Sequence, residues 1–228
     1  MIYKLLFCII GIIVLLILLI KYYRNKTENK IRKKIYISLI VLACISIIMH
    51  IGEVIFFTLK NELLFEISWW MHWMSTYGLF LVIFYYFLIY LNLINPNNIK
   101  QLLFEGEMKN IKIAYIFFII AVLIGVAIFI QPININGNFE FIPNSYSIYI
   151  ISSMFFYGVF LIIGVSKFLK KNDEFKKKKI INIVITLILI SFGAITQIIL
   201  KDISILSLGI LLGILYTYLA IENIEQVK

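Results

Sequence analysis

The sequence predicts an all-α, polytopic membrane protein: a seven-transmembrane-helix bundle with its N-terminus outside and its C-terminus in the cytoplasm. Three observations carry this reading. The 228-residue chain is 62% hydrophobic and only 14% charged, so a soluble domain of this length would expose far more apolar surface than such domains do. The apolar residues fall in seven runs, each near or above the ~20 residues a helix needs to cross ~30 Å of hydrocarbon. The cations between the runs lie overwhelmingly on one side of the resulting topology. A closed barrel is the other way to span a bilayer, but it requires alternating polarity along each strand, and these runs are apolar on every face.

The runs, in order, cover roughly 2–20, 35–59, 67–94, 112–131, 148–169, 180–200 and 203–221. The first has Lys4 ahead of its apolar stretch, as a signal peptide would. The stretch is long, however, no small-x-small cleavage pattern follows it, and the next residues are "KYYRNK", so it reads as a retained helix. The second carries His50 and Glu53, three residues apart and therefore on one helix face. The third opens with "SWWMHWM", which holds every tryptophan of the chain and one of its two histidines. Between the fourth and fifth lies "QPININGNFEFIPNSYS", where "ININGNFEF" alternates apolar and polar residues around Asn136-Gly137, the signal for a short β-hairpin with a type I′ turn. The sixth and seventh are separated only by "KD" and so form a tight hairpin. Residues 1–221 make up the seven-helix domain, and 222–228 continue its last helix into the cytoplasm, since "LAIENIEQVK" holds neither Gly nor Pro.

A net charge of +9 raises the question of nucleic acid, but its distribution points to a membrane surface. Lys21, Arg24, Lys26, Lys30, Arg32, Lys33 and Lys34 follow the first run. Lys100, Lys109 and Lys112 follow the third. Lys167, Lys170, Lys171 and Lys176 to Lys179 follow the fifth, and Lys228 ends the chain. Only Lys4, Lys60 and Lys201 fall on the other side, which orients the protein in the plasma membrane with its basic loops inside. The run Lys176 to Lys179 reads as an anchor on anionic lipid at the cytoplasmic face, worth ~1 kcal/mol per residue.

This orientation gathers the chemically distinctive residues at the outer face. A carboxylate deep in a span costs ~2.5–3.5 kcal/mol by insertion scales, so Glu53 requires a bundle interior or a wet cavity and a partner. His50 is the local partner and His72 the one across the helix interface. Trp69 and Trp70 sit where an interfacial aromatic belt belongs. Trp73 lies a turn deeper, with Tyr77 at i+4. The candidate ligand-binding set is His50, Glu53, Trp70, His72, Trp73, Tyr77 and Gln197. Neither "HIGE" nor "HWM" is a recognised metal-ligand spacing, so no metal and no other cofactor is expected. Cys8 and Cys44 fall in different runs and read as small buried hydrophobes.

Nothing supports catalysis: there is no glycine-rich phosphate loop, no HExxH and no Asp in any span. The lysine a retinal protein needs in its seventh helix is missing, Lys201 preceding that helix. In the last run Gly209, Gly213 and Thr217 recur every four residues, a helix-packing pattern that serves either the bundle itself or a homodimer.

The segment "GAITQIILKDISILSLGILLGILYTYLAIENIEQVK" resembles the end of the seven-transmembrane N-terminal sensor region of bacterial diguanylate cyclases (GGDEF) and histidine kinases, and "NGNFEFIPNSYSIY" is similar to the loop between helices four and five of that group. The resemblance covers the whole chain in layout and these two stretches in residues. It implies a signal-input module that detects an extracellular or membrane-borne stimulus, an unknown small ligand, and passes it to a cytoplasmic output domain. No such domain follows here, so the expectation is an input module that is excised, acts alone or serves a separate output protein. The alternatives are a small transporter or permease subunit and a non-catalytic membrane assembly partner. The transporter is weakened by the lack of an internal repeat and by Pro96, Pro132 and Pro143 all lying outside the runs.

Overall fold

The computed structural model describes residues 2–24, 30–91, 94, 96, 99–106, 108–129, 133–135, 138–140, 174–199 and 205–222. They form α1 (Ile2–Arg24), α2 (Lys30–Thr58), α3 (Glu62–Tyr90), α4 (Ile99–Leu103), α5 (Lys109–Phe129), a two-stranded ladder of β1 (Ile133–Ile135) and β2 (Asn138–Glu140), α6 (Glu174–Ile199) and α7 (Ile205–Thr217), which runs on as a π-turn at Tyr218–Glu222. Among these, Leu5–Arg24, Lys30–Thr58 and Glu62–Tyr90 are long and apolar enough to cross a membrane, and Leu208–Ala220 is a shorter apolar helix. The expected span 148–169 and the extension 223–228 lie outside the described residues. The expected hairpin is present as an antiparallel pairing, Ile133 with Glu140 and Ile135 with Asn138, while Asn136 and Gly137, and with them the turn type, lie outside the description.

The central unit is the antiparallel pair α2–α3, and its turn explains its register. At the end of α2, Lys60 adopts φ 54°, the left-handed conformation usually given to glycine. Its amide bonds Phe57 O at 3.1 Å and the Asn61 amide bonds Phe56 O at 3.0 Å, the paired closure of a Schellman motif. Asn61 is at once the N-cap of α3: its side chain accepts from the Leu64 amide at 3.1 Å. Three residues thus reverse the chain, and every step back along α2 is a step forward along α3. Gly52 meets Ser68, Ser46 shares a 2.8 Å hydroxyl hydrogen bond with Thr76, Gly78 faces Leu42, and Tyr36 packs on Tyr86 with ring centroids 5.6 Å apart. At the far end the Arg32 guanidinium lies 5.4 Å from the Tyr90 ring.

The other helices dock on this pair. Tyr22 of α1 packs on Tyr36 at 4.5 Å, and a Cβ on Gly11 would meet Ile47 and Leu211 at ordinary contact distances, so α1 touches both α2 and α7. Tyr115 of α5 stacks on Phe84 at 4.1 Å. Between α6 and α7 the backbones nearly touch: a Cβ on Gly209 would stand 2.7 Å from Gly193 Cα and 2.9 Å from Leu189 O. Gly213 lies against Ile190, and Thr186 and Thr217 pair their hydroxyls at 3.2 Å. The small-residue pattern of the last run therefore packs helices within one chain.

One end of the bundle is basic, and two of its lysines are turned inward. Lys179 is buried, and its ammonium donates to Tyr90 O at 2.8 Å while lying 4.7 Å over the Tyr90 ring. The carbonyls at the end of α3 carry its partial negative charge, which draws the cation in. The run Lys176 to Lys179 is thus not a uniformly solvated face, although Lys178 is exposed. Lys112 is also buried and donates to Gln101 O at 2.8 Å and Glu105 O at 2.6 Å, tying α4 to α5.

Four stability outcomes follow from this packing. In thermal unfolding of the detergent-solubilised protein, Lys60→Gly raises stability by about 1 kcal/mol by relieving the left-handed residue, whereas Asn61→Ala lowers it by about 1 kcal/mol through loss of the cap. Gly209→Ala lowers it by about 1–3 kcal/mol because backbone atoms must move, while Gly11→Ala is neutral or stabilising by up to about 1 kcal/mol.

Candidate functional site

Near the turn, the α2–α3 register brings three titratable side chains into contact. His50 and Glu53 are one turn apart on α2, and His72 comes from α3. His50 Nδ1 lies 3.1 Å from Glu53 Oε2, and His72 Nδ1 lies 2.8 Å from Glu53 Oε1. An ionised carboxylate has no hydrogen to give, so in that state both Nδ1 atoms donate and each carboxylate oxygen accepts one bond. The two imidazoles stand edge-to-face with centroids 5.1 Å apart. The side chains of His50, Glu53 and His72 are only 12%, 13% and 9% exposed, which marks this as an interior site and not a surface ion pair.

Close backbone approach makes the contact possible. A Cβ on Gly52 would stand 2.8 Å from Ser68 Oγ and 3.2 Å from Ser68 Cβ, so glycine next to Glu53 lets α3 come this near without displacing Ser68. The Ser46–Thr76 hydrogen bond holds the helices together further along the same seam.

An aromatic column on α3 lines the same region. His72 stacks on Trp73 (6.1 Å, 18°), Trp73 stacks on Tyr77 (5.6 Å, 25°), and Tyr77 meets Phe80 edge-on at 5.9 Å. Trp69 packs edge-on against Trp70 at 5.2 Å and Trp73 at 6.1 Å. Trp73 and Tyr77 are buried, as their i, i+4 spacing suggests, and Trp70 is partly buried. Trp69 departs from expectation: it is only 2% exposed and belongs to the inward column, not to an interfacial belt. The signal was present, since 69, 73 and 77 share one face at i, i+4 and i+8.

Of the expected set, His50, Glu53 and His72 form the centre, with Trp73 and Tyr77 stacked in series beside it and Trp70 linked through Trp69. Gln197 lies on α6, but its side chain is outside the described residues. The three donor atoms of His50, Glu53 and His72 all lie within 4.8 Å of one another. The pairing of Glu53 with both histidines was expected, but no motif spacing marks the three as a donor set because they come from two helices. No family model, curated protein or solved structure matches the chain.

If Glu53 and His72 act as a unit, their removal is strongly non-additive. A double-mutant cycle of Glu53→Gln and His72→Gln on thermal stability is expected to give a coupling of about 0.5–3 kcal/mol. Glu53→Gln combined with Thr186→Val, on the other helix pair, adds within about 0.5 kcal/mol.

Proposed function

We propose that the chain is the input module of a membrane signalling protein: a seven-helix bundle in the plasma membrane, N-terminus outside, whose outer-face site responds to a stimulus and whose last helix carries the response to a cytoplasmic output domain or partner. The observation that carries this reading is the His50–Glu53–His72 cluster, a polar clamp between two apolar helices. A buried carboxylate shared between two facing helices gives the α2–α3 pair more than one favourable packing when a ligand alters its bonds. A ligand must favour one packing by ~5.5 kcal/mol to switch such a bundle fully, and an enclosed, desolvated site has interactions of that order to offer.

A physical route leads from the site to the π-turn that follows α7. Tyr36, on the same helix as Glu53, is fully buried at the basic end and donates its hydroxyl to Ile214 O of α7 at 3.1 Å. One turn later α7 gives way to the π-turn at Tyr218–Glu222, a local widening of the helix of the kind found at functional positions. Movement of α2 thus bears on the segment that leads out of α7. The exposed cations of the basic end support anionic lipid as a partner: Lys21 and Arg24 line a groove with Ile17 and Ile20 on the last turns of α1.

The reading is tested without knowledge of the stimulus. An environment-sensitive label is placed at Leu219→Cys, an exposed position in the π-turn, in a chain with Cys8 and Cys44 replaced by Ser. Glu53→Gln is expected to shift the label's signal, and Tyr36→Phe to remove that shift while leaving the site intact. A label that reports the same environment with and without Glu53→Gln means the site does not communicate with α7, and the input-module reading is wrong.

A further inference from the structure

We propose that His50, Glu53 and His72 bind a divalent transition-metal ion of the zinc class, and that this ion is the stimulus of the site. Three arguments converge. The first is donor chemistry: two imidazole nitrogens and one carboxylate oxygen are a set that suits zinc, cobalt, nickel and copper, whereas magnesium and calcium prefer oxygen alone.

The second is geometry. In a tetrahedral zinc site with bonds of about 2.0–2.1 Å, neighbouring ligand atoms are about 3.3 Å apart. Here Nδ1 of His50 and Nδ1 of His72 lie 3.1 and 2.8 Å from the two oxygens of Glu53, and one donor from each of the three residues falls within 4.8 Å of the others. Donors held within 4.8 Å need draw in by at most about 1.5 Å to reach that spacing, so side-chain adjustment turns the hydrogen-bonded cluster into a coordinated one. Each imidazole then carries its hydrogen on Nε2 and presents the Nδ1 lone pair to the metal.

The third is charge. Glu53 sits inside a helix apolar enough to cross a membrane, and among the described residues the ion pairs it makes are with His50 and His72 alone. In a low-dielectric setting a bound divalent ion compensates the charge of such a carboxylate. Three protein ligands leave a fourth position open, the arrangement of exchangeable and reactive zinc sites, whereas permanently closed structural sites use four. Because the donors come from α2 and α3, binding would clamp the two helices at the seam where Gly52 lets them meet. As the stimulus of a sensor, the ion rests on the input-module reading above; as a bound ion, it does not.

The test uses the full chain in detergent, with Cys8→Ser and Cys44→Ser so that thiols do not compete, and cobalt(II) followed by zinc(II) as probes. Wild-type site residues are expected to bind one cobalt per chain, with the visible absorption of a four-coordinate ion, and to release it to zinc. Glu53→Gln and His72→Ala are expected to weaken binding by more than the ~10–100-fold that loss of an outer-shell partner produces. His72→Cys keeps a ligand at that position, so it retains binding and adds a thiolate-to-cobalt charge-transfer band. That band distinguishes coordination from a variant that merely fails to fold. No binding in the wild-type site, or binding indifferent to Glu53 and His72, overturns the metal site. No binding together with an intact Leu219→Cys label response removes the ion and leaves the input module standing. Binding to which the Leu219→Cys label does not respond overturns the ion's role as stimulus and leaves the metal site.

Discussion

The structure depends first on the register between α2 and α3. Two adjacent residues set it, Lys60 by taking a left-handed conformation and Asn61 by closing one helix and capping the next. In an apolar medium helices gain little from burying more apolar surface against one another, so the specific contacts decide how they pair. Those contacts are spaced along one seam: the histidine–carboxylate cluster near the turn, the Ser46–Thr76 hydrogen bond further in, then Tyr36 on Tyr86, and Arg32 over Tyr90 at the far end. A slip of one residue would break all of them together. It would also leave a carboxylate without its partner across the seam, which is the most unfavourable of the losses.

The second helix pair follows a different logic. Between α6 and α7 the seam is made by missing side chains, Gly193 against Gly209 and Gly213 against Ile190, with a threonine pair further along. Close packing of this kind is rigid, because an atom added at Gly209 meets main chain and one added at Gly213 meets the Ile190 side chain. The polar α2–α3 seam is held instead by side chains that can exchange one hydrogen-bond partner for another. Under the proposed input role, the first pair would be the one that switches and the second the one that transmits. Tyr36, reaching from α2 to a carbonyl of α7, joins the two.

Much of the candidate site was legible in the sequence because helical spacing is a local rule. His50 and Glu53 three apart, and Trp73 and Tyr77 four apart, had to share faces, and a carboxylate in an apolar run had to have a partner. The Gly209, Gly213 and Thr217 pattern was legible for the same reason, though only the coordinates show that its partner helix is in the same chain. What was not legible depended on contacts between elements. Trp69 looked like a belt residue because its position suited one, yet its neighbours on the packed face bury it. A metal-type donor set was invisible to motif spacing because its members are split across a turn. Lys179 looked like its three neighbours in the run, and only the end of α3 beside it sets it apart.

Lys179 also has a meaning for how the protein is made. Its acceptor, the Tyr90 carbonyl, precedes it by 89 residues, and a second strap, Asn182 to Ala220 O, spans 38 more. In a chain synthesised from its N-terminus, α3 is complete long before the lysine that closes over its end exists. The inward ammonium is therefore a late clasp in biogenesis. Its engagement ties the start of α6 to the end of α3.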